Sequence, residues 1–289
     1  MLALLVGCAA PTTPPARIGT LKLLVWNIWH GGHEDGDVGV ERVIDIVRES
    51  QADVVLMVET YGSGERIAKA LGFELLIHDS KDNLSIHSRY PIVEDISVWK
   101  NFHCVGAKID VPGFGPIAAY DVWLSYAEEI WEAGTRAHFT PAQMIEQSER
   151  SSAPEIRAIV GEIESRLAGT PELPLVIGGD FNSMSHLDYT AEAQSQYGAV
   201  IDWPVSRFLQ SSGFTDTYRA LHPDVVRARD RTWSPRFQAQ EADRIDFVHV
   251  RGAALRPVRA RVIDTHSELF PSDHAALLVE FEYEVDRTQ

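Results

Sequence analysis

The stretch LPLVIGGDFNS, residues 173–183, decides how the rest of the chain is read. Its first half is a continuous apolar run, the pattern of a strand covered on both faces. Its second half breaks that run with two glycines and then an acid and an amide, so Asp180 and Asn182 fall where the strand ends. A carboxylate at the end of a buried strand costs free energy unless it is paired or binds a metal. If Asp180 is buried, other strands must bring groups to meet it.

The same pattern recurs along the chain. Asn27 ends LLVWN, Glu59 ends DVVLMVE, Asp246 lies inside RIDFVHV, and Asp273 and His274 open the last strand in PSDHAALLVEF. A single such residue is explained by a turn or a cap; the recurrence points to one shared site. Oxygen donors without cysteine suit Mg²⁺, with Mn²⁺ or Ca²⁺ as alternatives. In this set Glu59 is the natural metal ligand, with Asn27 beside it. Asp180 is placed to orient and deprotonate a water, and Asn182 to hold a phosphoryl oxygen. Asp246 and His274 make a carboxylate–imidazole pair that keeps the histidine oriented and protonated. A polarised phosphoryl group, an activated water and a cationic donor are the parts of phosphoester hydrolysis.

Flanking elements follow from periodicity. Val40, Val43, Ile44 and Val47 fall at helical spacing within 38–50, and GERIAKALG reads as a second, shorter helix. SAPEIRAIVGEIESRLAG predicts a long helix, with Ser152 and Glu155 as a capping box and Gly169 as its stop. A short helix is expected at 205–211. Strands are expected at 74–78, 84–88, 103–110, 117–124 and 275–284. Many strands with few intervening helices predict an α/β (α+β) architecture of packed sheets with helices outside. One domain is expected over 21–284, with a tail at 285–289.

The chain has 289 residues and carries 42 acids against 26 bases, a net charge of −16. Gripping long nucleic acid depends on Lys and Arg neutralising phosphates, so this balance disfavours a long duplex as substrate. Cys104, in a predicted strand, is expected to be a buried, inert thiol. At the N-terminus LVGC resembles the lipobox of bacterial lipoproteins, and a Pro/Thr-rich stretch to residue 20 reads as a tether. The expectation is an exported, envelope-anchored or secreted monomer, touching a membrane only through a lipid on Cys8; the intact mass of the mature protein tests it.

WNI at 26–28, DVVLMVE through Glu59, SRYPI at 88–92, GGDFNS at 178–183, RIDF at 244–247 and SDH at 272–274 occur in one order. In that order they resemble the endonuclease/exonuclease/phosphatase superfamily, the deoxyribonuclease-I-like fold. The resemblance implies a four-layer αββα sandwich of two mixed sheets, with the site at one edge. It also implies divalent-metal-dependent phosphoester cleavage, the roles given above, and Asp273 beside the metal with Asn27 and Glu59. One position departs. Where the family carries a phosphate-contacting histidine in a motif resembling NTHL, YDVWLSY places Trp123, which cannot exchange a proton. Tyr126 or His138 would then supply the contact, or the substrate does without it.

His30 and His33, in the conspicuous run WHGGHEDGD, sit on a Gly-rich loop that lacks the helical register for joint metal binding. They read as part of a loop at the site's mouth, with His30 a candidate substrate contact. The stretch RARDRTW at 227–233 reads as a solvated loop. The function expected is hydrolysis of a small or lipid-head-group phosphodiester or phosphomonoester. A secreted nuclease is the rival enzyme, and a catalytically silent binding protein on the same fold is the rival of another class.

Overall fold

The structure, a computed structural model, describes residues 17–170, 172–228 and 230–285. Residues 1–16 of the expected tether, with the Cys8 anchor, and the last four residues of the expected tail lie outside them; residues 18–20, expected in the tether, belong instead to the first strand, where they pair with the last one. The described strands are β1 (Ile18–Asn27), β2 (Val54–Val58), β3 (Glu74–Leu76), β4 (Leu84–Ser88), β5 (Ile92–Asp95), β6 (Cys104–Val111), β7 (Gly115–Trp123), β8 (Leu175–Asp180), β9 (Thr215–Asp216), β10 (Asp246–Arg251), β11 (Arg256–Ile263) and β12 (Ala276–Glu284). The helices are α1 (Asp37–Ser50), α2 (Gly64–Leu71), α3 (Pro141–Arg150), α4 (Ser152–Arg166), α5 (Gln194–Tyr197), α6 (Pro204–Ser211) and α7 (Thr217–Leu221).

Two six-stranded sheets form, in the orders β11-β12-β1-β2-β4-β3 and β5-β6-β7-β8-β10-β9. Each is mixed: β1 runs parallel to β2, and β7 parallel to β8, while the other neighbours are antiparallel. Alternation along β1 shows how the layers are made. Leu23 and Val25 point between the sheets, against Leu56, Val176, Val248 and Leu277. Leu24 and Trp26 point outward, where Val40, Val43, Ile44 and Val47 of α1 cover them. Each of those four aliphatic side chains contributes about 1.5–3 kcal/mol by leaving water. On the far side, Ile156, Ile159, Val160 and Ile163 of α4 and Val205 and Leu209 of α6 cover Tyr120, Ile177 and Phe247. The result is the expected four-layer sandwich.

The two glycines of the opening stretch hold β8 in place. A Cβ on Gly178 would lie 2.5 Å from Val25 Cγ2, so the facing sheet leaves no room for a side chain. Gly179 has φ +139°, and a Cβ there would lie 1.9 Å from the Val122 carbonyl oxygen of β7. Only glycine at both positions lets β8 run this close to its neighbours and end with Asp180 buried.

Two local expectations change. The Ser152–Glu155 capping box does not form: Glu155 instead accepts hydrogen bonds from the Ser125 amide and hydroxyl, at 2.7 and 2.9 Å. Ser152 packs against Ser148, because α3 runs almost directly into α4 and α4 has no free start to cap. The box that does form caps α3, through Thr140 and Gln143. Gly169 does not end α4, whose C-cap is Leu167. Helix α3 and the strands β5 and β11 lie outside the elements read from periodicity. Cys104 is a buried free thiol, its pKa pushed up by burial.

Arg244 of the RIDF motif is a structural ion. It is fully buried and bonds Asp188 and Asp216 through two nitrogens each, and Arg219 shares Asp188. Burial alone would raise the Asp216 pKa, but the Arg244 charge outweighs it and pulls it down to about 2. Removing one partner of a buried ion network leaves charges with no compensation. Arg244→Ala should therefore lower unfolding free energy by about 3–5 kcal/mol in urea denaturation. A loss below about 1 kcal/mol would show that water reaches these carboxylates.

Candidate active site

The strand-end groups converge where the two sheets meet. Asn27 ends β1, Glu59 follows β2, Asp180 ends β8, Asp246 begins β10, and Asp273 and His274 lie just before β12. Asn27 bridges two of the acids: its Nδ2 donates to Glu59 Oε1 and to Asp180 Oδ2, each at 3.2 Å. His274 Nδ1 is 2.9 Å from Asp246 Oδ2, and its Nε2 is 3.8 Å from Asp180 Oδ2. The Asn182 amide N–H donates to Asp180 Oδ1 at 2.9 Å. Its side-chain amide donates one hydrogen to the Leu124 carbonyl, which leaves the other for a ligand oxygen.

Neighbouring polar groups hold these residues in position. Ser272 Oγ donates to the Asn27 carbonyl at 2.6 Å and accepts from the His274 amide at 3.0 Å, tying SDH to β1. Trp26 Nε1 donates to the His274 carbonyl at 2.8 Å. Thr232 Oγ1 accepts from the amides of Ile245 and Asp246. Asn83 Oδ1 accepts from the Glu59 amide, and Glu59 sits at φ +57°. Arg89 of SRYPI lies outside the site, pairing with Asp53 and stacking over Phe73.

Charge follows from this packing. Burial would lower the His274 pKa, but the carboxylates of Asp246 and Asp180 outweigh it and raise it to about 10. At neutral pH the ring is therefore an imidazolium, and with Nδ1 given to Asp246, only Nε2–H is free to donate. Burial, reinforced by the Asp246 charge, raises the Asp180 pKa to about 7, although His274 pulls the other way. Burial likewise raises Asp273 to about 6, with Glu59 adding to the rise.

The donor set fits a divalent cation. Asp180, Asp246 and His274 offer ligand atoms that all lie within 4.8 Å of one another. Asp246 Oδ1 and Asp273 Oδ1 are buried without a hydrogen-bond partner, the condition a bound cation relieves. Glu59 and Asp273, which line the same cavity, and Asn27, which bonds Glu59, add further oxygen donors to this set.

Above these groups lies a cavity of about 190 Å³ lined by Glu59, Asp180, Asn182, Asp273 and His274. The candidate substrate contacts His30, Trp123 and Tyr126 also line it, whereas His138 does not. His30 donates its backbone N–H to Glu59 Oε2, and its ring bonds Glu34, whose carboxylate raises the His30 pKa. His33 turns to Ser63. Trp29, Glu129, Trp131 and Trp233, with Ile245, complete the wall, and the first four escape sequence reasoning because they come from loops with no strand-end signature. Larger hollows of about 430 and 550 Å³ lie away from all these acids.

The raised carboxylates set a pH dependence. A folded pKa above the unfolded value of about 4 means stability present at low pH that is lost as pH rises through the folded value. For Asp273 and Asp180 that window is roughly pH 4–7. His274, raised from about 6.5, contributes stability that is full below about pH 6.5 and is lost as pH rises through about 10. In metal-free protein, Tm should fall between pH 5 and 8, and Asp180→Asn should flatten the fall. An unchanged slope in Asp180→Asn would contradict the assignment.

Comparison with known proteins identifies the family. The Endonuclease/Exonuclease/phosphatase family matches residues 24–274. The uncharacterized protein F14F9.5 of Caenorhabditis elegans is 25% identical over 325 aligned residues, covering 98% of each chain. Among solved structures, an endonuclease/exonuclease/phosphatase family protein from Bacteroides thetaiotaomicron superposes with a TM-score of 0.61 at 16% identity, covering 93% of this chain and 97% of that one. D. rerio TDP2 complexed with a single-strand DNA product gives 0.62 at 14% identity, over 91% and 98%. An AP endonuclease from Archaeoglobus fulgidus gives 0.58 at 16% identity, over 90% and 99%. With a match that spans most of its length and ends on His274, the chain belongs to the endonuclease/exonuclease/phosphatase family.

Proposed function

We propose that this protein is a divalent-metal-dependent phosphoesterase acting on a small or lipid-head-group phosphodiester or phosphomonoester. The observation that carries the reading is the buried Asp180 carboxylate, bridged by Asn27 to Glu59 and facing the His274–Asp246 pair. Asp180, with a pKa near 7, takes a proton from the attacking water at neutral pH, the matching that favours general-base catalysis. Asn182 donates its remaining amide hydrogen to a phosphoryl oxygen. His274 presents Nε2–H to the same phosphoryl group and stabilises the charge that develops there. Asp246 holds the ring in its orientation and keeps it cationic. Glu59, Asp273 and Asn27 would hold Mg²⁺ or Mn²⁺, which when bound withdraws charge from the phosphoryl oxygens.

Substrate size rests on the cavity of about 190 Å³ and on the net charge of −16. A long duplex needs a cationic track, and acidity of this degree opposes one. A second reading, a nuclease, is favoured by the likeness of the fold to TDP2 with its DNA product and to an AP endonuclease.

Both readings are separated by assaying the purified chain with Mg²⁺ on bis(p-nitrophenyl) phosphate, phosphomonoesters, sphingomyelin vesicles, single-stranded DNA, RNA and plasmid. Turnover of the small esters with little plasmid nicking at physiological salt is expected; robust nicking with no turnover of small esters would replace the proposal by the nuclease. Asp180→Asn and His274→Ala should each lower kcat by about 10²–10⁴-fold with the circular dichroism spectrum unchanged. Activity that survives both substitutions rules out this mechanism.

A further inference from the structure

The hydrolytic chemistry leaves one wall of the cavity unexplained. Trp29, Trp123, Tyr126, Trp131 and Trp233 line it together with Glu129, and no Lys or Arg is among the described residues that do. The rings brace one another. Trp131 meets Tyr126 edge-on at 5.6 Å and Trp233 at 6.2 Å, and Phe102 supports Trp123 at 5.4 Å. Trp29 already holds the Arg236 guanidinium 5.4 Å from its ring centre, and that cation is neutralised by Asp35. Trp123 and Tyr126 remain, with the exposed carboxylate of Glu129 close by in the chain.

Each alternative occupant of this wall meets an objection. Unpaired bases of a nucleic acid strand would stack on these rings, but the strand's phosphates also need Lys or Arg along their path, and none lines this cavity among the described residues. A plain hydrocarbon group gains from the rings but not from Glu129. Aromatic faces beside a carboxylate attract an organic cation, since the ring quadrupole and the charge act together. Glu129 also lies outside the proposed metal-binding set, so its charge persists when a divalent cation is bound.

We propose that the portion of the substrate that is not hydrolysed carries a quaternary ammonium group, as in a choline phosphodiester, seated against Trp123 and Tyr126 and facing Glu129. This rests on the phosphoesterase reading above and adds to it the identity of the substrate's second half.

The test compares p-nitrophenyl phosphorylcholine with its neutral isostere, p-nitrophenyl 3,3-dimethylbutyl phosphate, using the full chain and Mg²⁺. The cationic ester should have a kcat/KM about tenfold higher, the size of one or two cation–π contacts in a partly desolvated site. Glu129→Gln and Trp123→Leu should shrink that ratio towards one. Glu129 is on an exposed loop, so its variant keeps the fold even if Trp123→Leu does not. Tetramethylammonium chloride, against NaCl at equal ionic strength, should compete with the cationic ester and produce a saturable change in tryptophan fluorescence that weakens in Glu129→Gln.

Equal or lower kcat/KM for the cationic ester overturns the proposal, even if both esters are turned over and the phosphoesterase reading stands. So does competition by a single-stranded oligonucleotide with none by tetramethylammonium. Saturable tetramethylammonium binding that weakens in Glu129→Gln, without hydrolysis of either ester, supports the cation site and removes the hydrolytic reading instead.

Discussion

The arrangement depends on keeping one carboxylate, Asp180, buried at the junction of two sheets. Its position follows from backbone contact: Gly178 and Gly179 let β8 approach Val25 and the Val122 carbonyl more closely than any residue with a side chain could. A buried acid placed this way is unfavourable on its own. It is made tolerable by the Asn27 amide, the Asn182 N–H and the His274 imidazolium, itself held by Asp246. The groups that offset the burial are those to which the proposed mechanism gives roles. On that proposal stability and reactivity are linked at this point, where burial raises the pKa values of Asp180 and Asp273.

The acidity of the chain and its phosphate chemistry are compatible because positive charge is concentrated. Among the described residues lining the cavity, His274 is the buried cation, fixed by two carboxylates and not by a basic surface. A divalent cation adds to it locally. Volume is a poor guide here, since the larger hollows lie far from these acids.

Much of this was legible in the sequence, for a definite reason. Strand ends are marked where an apolar run meets a polar residue, and Asn27, Glu59, Asp180 and His274 all sit at such junctions, so their convergence could be argued from pattern. The helical faces of α1 and α4 were legible through their 3.6-residue spacing. What escaped has no local period. Trp29, Trp131 and Trp233 reach the cavity from loops, and their ring contacts depend on the tertiary path of those loops. Glu155 has the spacing of a capping residue, yet Ser125, thirty positions away, takes its carboxylate. Arg244 reads as a motif residue, and only the packing of Asp188 and Asp216 around it shows that its part is structural.

The central claim is that these converging side chains are a metal-dependent hydrolytic centre. Turnover of bis(p-nitrophenyl) phosphate by chelator-stripped protein, before and after Mg²⁺ or Mn²⁺ is returned, tests it most directly. The account predicts turnover at the uncatalysed background after stripping and full recovery when the cation is restored. Turnover that persists undiminished in the stripped protein would contradict it.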